Sequence, residues 1–339
     1  MKKRIKKSLK RSLLPFLKGY FQLRMVWPVW AYIINFRPRM LWSKEGAVFN
    51  VVERRIIQDL TNYGIAMAHC DELFPGENIF EELKKCTGKL RVEKQNMNSS
   101  EEKLSKPFLT NLFEPTPFIN FENPFHCFAA HPNIVNIVNG YFEMYAKLYY
   151  LTLNLTTPVD ASKEAIASQR WHRDPEDRKM CKVFLYLNDV DESAGPFMYL
   201  TKSRYGLKYG ALFPQKPPIG VYPDAAILEK AIAKEDIKIC TGRAGTIIFC
   251  DTSGLHKGGY AIQKERIMFT AGYRTNGAVT PNRIRYPKEY PQKLDAMKFS
   301  NSVYYALFPH EVSRRNRKLF SFCLRWQEEL DGKNTYHDG

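Results

Sequence analysis

Two spacings of apolar residues divide this chain. In residues 48–62, Val51, Ile56, Ile57 and Leu60 carry the helical period, and a strand is expected over 64–73 with a short helix at 78–85. Residues 90–106 are polar, and 96–102 carry no apolar stripe, which predicts a surface loop. The Phe-, Pro- and Asn-rich 107–124 predicts an extended segment wrapped on a body, and a helix follows at 131–143. From residue 145 the period drops to two. Strands are predicted over 145–155, 180–188, 195–201, 237–241, 246–250 and 266–273, with one helix between them at 225–234 and another at 312–330. No internal repeat is visible.

Helices first, then many short strands without βαβ alternation, predict a mainly β fold with flanking helices, a sandwich or barrel packed by helices on one side. Within 182–188, the odd positions Val183, Leu185 and Leu187 are aliphatic, while Phe184, Tyr186 and Asn188 take the other face. In the last strand Arg266, Met268, Thr270 and Arg274 share one face; Ile267, Phe269, Ala271 and Tyr273 share the other. Aliphatic faces are expected against helices and mixed faces around a pocket, as a jelly roll with a ligand cavity requires. Phe184 and Tyr186 then either line that pocket or belong to the core. Residues 202–236, rich in Gly, Pro and Tyr before the helix, read as a lid-like insertion between strands.

Charge changes the picture only at one end. The formal balance is +16, but twelve Lys and Arg lie in residues 1–44, where there is no Asp or Glu, and the remainder carries about +4. Basicity therefore belongs to an arm and gives no ground for expecting nucleic acid as a partner. In that arm Ile5, Leu9, Leu13 and Phe16 or Leu17 form a helical stripe, followed by Trp27, Trp30, Tyr32 and Phe36. A basic amphipathic segment of this kind suits an anionic membrane surface; a solvated arm and a targeting segment are the alternatives. The arm is expected to be dispensable for chemistry. The seven cysteines are scattered without CxxC spacing, which favours a reducing, cytoplasmic setting, peripheral to a membrane if the arm docks there. The expected organisation is an arm at 1–44, one catalytic domain at 45–330 and a tail at 331–339.

The candidate chemistry sits in Trp171-His172-Arg173-Asp174. His172 and Asp174 are two apart and leave one face of an extended segment. His256, just after the strand-like Ala244–Cys250 run, supplies a third ligand. Two histidines and a carboxylate on one face of an ion form the facial triad of non-haem Fe(II) sites, with positions left open. Ten residues on, Arg266 could clamp a dicarboxylate through its two-pronged guanidinium. Arg274, on the same strand face, is a candidate for a substrate-facing cation or for a structural ion pair.

Gln169-Arg170-Trp171-His172-Arg173-Asp174, the strand end Leu187-Asn188-Asp189, Gly195-Pro196, Ser203 and the 242–266 segment together resemble the phytanoyl-CoA dioxygenase family, over roughly residues 145–275. The resemblance implies a double-stranded β-helix, a cupin-like jelly roll with its core in that range. It implies Fe(II) held by His172, Asp174 and His256, 2-oxoglutarate gripped at its distal carboxylate by Arg266, and O₂ as oxidant. The expected activity is a dioxygenase that hydroxylates a small or lipid-like molecule and releases succinate and CO₂. Halogenating relatives replace the carboxylate by a small residue, so Asp174 points to hydroxylation. The alternative is a non-catalytic β-helix protein that binds a ligand or a membrane. Where many relatives carry Pro-Gly-Ser-His, this chain has Leu200-Thr201-Lys202-Ser203-Arg204, and residues 1–110 and those after Asn276 match nothing in the family pattern.

Overall fold

The computed structural model describes residues 2–97, 108–114, 116–160, 167–215, 222–309 and 314–331. Nine strands lie within them: β1 (Ile65–His69), β2 (Leu109–Asn111), β3 (Lys147–Thr156), β4 (Met180–Tyr186), β5 (Phe197–Leu200), β6 (Ile237–Cys240), β7 (Thr246–Cys250), β8 (His256–Gly258) and β9 (Arg266–Arg274). They form two antiparallel sheets. The larger has the order β1-β7-β4-β9-β3-β2 and the smaller β6-β5-β8.

Register follows the alternation in the sequence. Leu151, Ala271 and Val183 stand in one row across β3, β9 and β4, and Leu153, Phe269 and Leu185 in the next. These rows join one large core with Phe125, Phe128, Ile134 and Val138 from the helices Pro124–Ala130 and Pro132–Phe142. The opposite rows are Tyr150–Gly272–Lys182, Thr152–Thr270–Phe184, Asn154–Met268–Tyr186 and Thr156–Arg266. They turn toward the smaller sheet, where Phe184 and Tyr186 pack with Phe197, Tyr199, Ile248 and Cys250. A one-residue slip would send every apolar row to the wrong side, so the pattern pins the register.

Ends of elements are locally specified. The helix Val51–Tyr63 begins with a capping box between Asn50 and Glu53 and ends on Gly64 at φ 83°. A Cβ at Gly64 would also run into the Tyr199 hydroxyl, so only glycine fits this turn between the first core helix and β1.

Two expectations are corrected. The polar segment after residue 90 continues the helix Ile79–Met97, because Ile79, Phe80, Leu83, Cys86 and Leu90 form a stripe that packs on the core past the expected stop at 85. Residues 98–106 of that expected loop lie outside the described ones. The basic arm does not hang apart from the body. The helix Lys2–Met25 buries Leu14 and Phe21 against Phe320 and Cys323 of the C-terminal helix Arg314–Asp331. After Pro28 comes a wider helical turn, Val29–Ile34, whose Trp30 is completely buried in the main core. The Trp30 indole donates to Asp177 Oδ1 at 2.8 Å. No helix among the described residues is long and apolar enough to cross a membrane.

Candidate metal centre

His172 and His256 face each other as a reciprocal antiparallel pair. His172 N donates to His256 O at 3.0 Å and His256 N donates to His172 O at 2.8 Å. Directly opposed residues in such a pair project their side chains to the same side, and the two imidazole centroids lie 4.2 Å apart. Asp174 N donates to Thr252 O at 2.8 Å, which carries the pairing two residues on and returns the carboxylate to the same face. The three candidate ligand atoms lie within 4.8 Å of one another.

Each imidazole is oriented from its own backbone. His172 Nδ1 lies 2.8 Å from Arg170 O, and His256 Nδ1 lies 3.0 Å from Gly254 O. A carbonyl only accepts, so these bonds place the proton on Nδ1 and leave the Nε2 lone pair for a metal. Burial, with His172 alongside, pushes the His256 pKa down to about 3, so the ring is neutral at ordinary pH. Burial alone would raise the Asp174 pKa, but the charges of Lys182, His256 and His172 override it and hold the carboxyl well below the usual range. Imidazole Nε2 lone pairs and an ionised carboxylate are what a divalent cation requires. The residues fit an Fe(II) ion.

Lys182 was not singled out from the sequence. It follows Met180 in the pocket-facing parity of β4, two residues before Phe184, and its Nζ lies 2.7 Å from Asp174 Oδ2. The signal was present as a lysine inside an otherwise apolar strand. Glu176, two residues beyond Asp174, was also missed. Its Oε2 is buried without a hydrogen-bond partner, and burial, then the Asp174 charge, pushes its pKa up to about 7.

Arg266 is 5% exposed and has no carboxylate within ion-pair distance among the described residues. Its Nη1 donates to Gly195 O, its Nη2 reaches Thr156 Oγ1 at 3.5 Å, and its Nε has no partner. Gly195 sits at φ 69°, and a Cβ there would strike the Ala261 backbone, which explains the Gly195-Pro196 turn. Arg266 is close to the triad: a Cβ added at Gly258, two residues past His256, would stand 3.7 Å from its Nη2.

The other pocket candidates separate. The Phe184 ring meets Phe197 with centroids 4.6 Å apart, and Phe197 in turn lies 5.7 Å from the His256 ring. Tyr186 donates to Cys240 O at 2.8 Å and accepts from Phe197 N at 3.1 Å, tying the two sheets together. Arg274 is fully buried at the far end of β9. Its guanidinium goes to Thr280 O at 2.7 Å, Pro281 O at 3.3 Å and Asn282 Oδ1, and lies 4.6 Å over the Tyr149 ring.

No family model matches this chain, and no curated protein matches it. Solved structures do. The chain is similar in fold to several proteins solved with 2-oxoglutarate. One is EctD from S. alaskensis with 2-oxoglutarate and 5-hydroxyectoine, at 17% identity and TM-score 0.48, over 68% of this chain and 77% of that one. Another is the epimerase SnoN with Fe³⁺, α-ketoglutarate and nogalamycin RO, at 13% and 0.46, over 66% and 84%. A third is HygX from Streptomyces hygroscopicus with nickel and 2-oxoglutarate, at 10% and 0.45, over 68% and 88%. At such low identity a functional reading rests on the side chains of the site itself.

Proposed function

We propose that this chain is a non-haem Fe(II)- and 2-oxoglutarate-dependent oxygenase that hydroxylates a small organic molecule, built on a double-stranded β-helix formed by the two sheets. The observation that carries the reading is the pairing of a pre-oriented His172/Asp174/His256 cluster with a buried Arg266 that lacks a carboxylate. A buried cation of this kind is costly unless an anion completes it. The distal carboxylate of 2-oxoglutarate would supply that charge.

His172, Asp174 and His256 would hold the iron, which when bound supplies oxidative decarboxylation of 2-oxoglutarate coupled to oxidation of the substrate. The protein residues bind and orient. Arg266 fixes the co-substrate through charge-assisted bonds. Lys182 keeps Asp174 ionised, and Phe184 and Phe197 exclude water from the His256 side. The non-catalytic alternative is disfavoured by the same cluster, since a mere scaffold has no need of three aligned donors. The deciding assay is succinate release from 2-oxoglutarate with Fe(II), with and without candidate substrates. No succinate above the metal-free background, with any substrate, refutes the reading.

The N-terminal helix supports a finer statement about partners. Its inner side is taken by the C-terminal helix, yet Leu9, Leu13, Phe16 and Leu23 form a second apolar stripe on the outside, with Phe16 77% exposed. The segment is basic and free of acids. Apolar side chains bracketed by cations match an anionic lipid surface, which we take as the occupant of this face.

A further inference from the structure

A second cavity, of about 320 Å³, lies at the other face of the larger sheet. Lys179 and Asp251 reach it from the ends of β4 and β7 by the parity of Cys181, Val183 and Phe249, the helix-facing rows, whereas Lys182 faces the metal ligands. Arg178, Lys179 and Arg204 line it together with the rings of Trp27 and Tyr205. None of these three cations has a carboxylate within ion-pair distance among the described residues. Their partners are backbone carbonyls: Met25 O for Arg178, Thr61 O for Arg204, and Tyr141 O at 3.1 Å for Lys179. Arg204 Nε is buried with no partner at all.

Carbonyl dipoles satisfy donors but leave the charges standing. Two acids, Asp251 and Glu143, also line it, so the three cations exceed them by one charge. Asp251 accepts from the Tyr141 hydroxyl, from Ser253 N at 3.0 Å and from Met180 N at 3.3 Å, and its charge acts on Lys179 without forming an ion pair with it. Glu143 lies 3.5 Å from Arg39, outside the cluster. Burial lowers the Lys179 pKa to about 8, against the opposing charge of Asp251. The Arg178 guanidinium is held in place by two rings, 4.0 Å over Tyr205 and 5.6 Å over Trp27.

We propose that this cavity binds the phosphoryl group of a phosphate monoester, held by Arg178, Lys179 and Arg204 and flanked by Trp27 and Tyr205. One guanidinium fork satisfies a carboxylate, whereas three cations lining one cavity match a dianion with three acceptor oxygens. The volume exceeds what a bare phosphate fills and leaves room for an attached organic group. Two sources present this chemistry, a soluble ester and a lipid headgroup. Trp27 belongs to the N-terminal segment, just after the exposed Leu23 and Val26, so the mouth adjoins the apolar stripe. The site is separate from the metal centre and does not depend on the oxygenase reading.

The test is calorimetric titration of the full chain with inorganic phosphate and with glycerol phosphate, alongside Arg204→Gln, Lys179→Met and Arg204→Lys. Wild type is expected to bind both ligands. Arg204→Gln and Lys179→Met should each weaken binding by about tenfold or more, and Arg204→Lys should keep most of it. Thermal unfolding of the same samples establishes that each variant is folded. No binding by wild type at millimolar phosphate overturns the proposal, as does undiminished binding by both charge-removing variants. Phosphatidylcholine vesicles with and without phosphatidic acid distinguish the sources. Loss of phosphatidic-acid binding in Arg204→Gln identifies a lipid phosphoryl group. Retained vesicle binding with lost glycerol phosphate binding identifies a soluble ester.

Discussion

Replacing Trp30 by Phe tests whether the N-terminal segment is part of the catalytic body. The Trp30 indole is fully buried and donates at 2.8 Å to Asp177, a carboxylate that also receives Thr275 N at 3.0 Å, Thr275 Oγ1 at 2.6 Å and Arg178 N at 2.7 Å. Burial pushes the Asp177 pKa up while these donors pull it back, so each one matters. Losing a hydrogen bond to a buried ionised acceptor costs about 2 kcal/mol. The smaller ring leaves a void worth about 1–2 kcal/mol more. Together they amount to about 3–4 kcal/mol, which lowers Tm by roughly 6–8 °C at about 2 °C per kcal/mol for a chain of this size. Asp177 is three residues past Asp174, so the same change should weaken Fe(II) binding. Thermal scans and Fe(II) titration of Trp30→Phe, with the exposed Tyr32→Phe as control, measure both. A Tm within a degree of wild type together with unchanged Fe(II) affinity would show that the segment is a passenger and that this reasoning is wrong.

His172→Ala and His256→Ala should each abolish 2-oxoglutarate turnover and lower Fe(II) affinity while leaving the circular dichroism spectrum intact; wild-type iron binding in either would remove it from the ligand set. Arg266→Ala should raise the 2-oxoglutarate KM by at least about thirtyfold, since breaking a buried charge pair costs roughly 2–5 kcal/mol, with partial rescue by Lys; an unchanged KM contradicts the clamp. The metal-free protein should lose stability as pH falls from about 6.5 toward 4. His256 and His126 have folded pKa values pushed down, chiefly by burial, to about 3 and about 4, so in that window the unfolded chain binds their extra protons; Glu176, pushed up to about 7, works in the opposite sense and offsets one of them above about pH 4.5. The slope is about 1.4 kcal/mol per pH unit for each fully titrating group, and denaturant midpoints that stay flat from pH 7 to 4 would refute it. Leu13→Glu with Phe16→Glu should abolish binding to anionic vesicles and leave Tm unchanged; equal vesicle binding by the variant excludes that face.

The strand half of the fold was legible because its information is local. Alternation through 182–188 and 266–274 separated the core rows from the pocket rows, and the polar pattern His172-Arg173-Asp174 showed both which residues share a face and why. The helical half was harder. The stop expected at 85 weighed polar composition above Cys86 and Leu90, which pack on the core. Trp30 read as a lipid-seeking aromatic because its partner Asp177 is 147 residues away, and no local period reports such a contact. The helices Tyr290–Ala296 and Asn301–Leu307 lie in a stretch where no element was expected. Lys182 shows the reverse case, where the parity was read and the one charged member of the row was passed over.

The carbonyls of Arg170 and Gly254 each hold a histidine two residues downstream in the same chain. Aim and tautomer are therefore set by short turns, with no ion needed to impose them. Much of the ordering that a metal would otherwise have to drive is completed when the chain folds, so the ion enters a finished receptacle. On the proposed ligand set, chelation and reloading would then be a cycle without refolding, with the cation chosen by supply and by the chemistry of two nitrogens and one carboxylate.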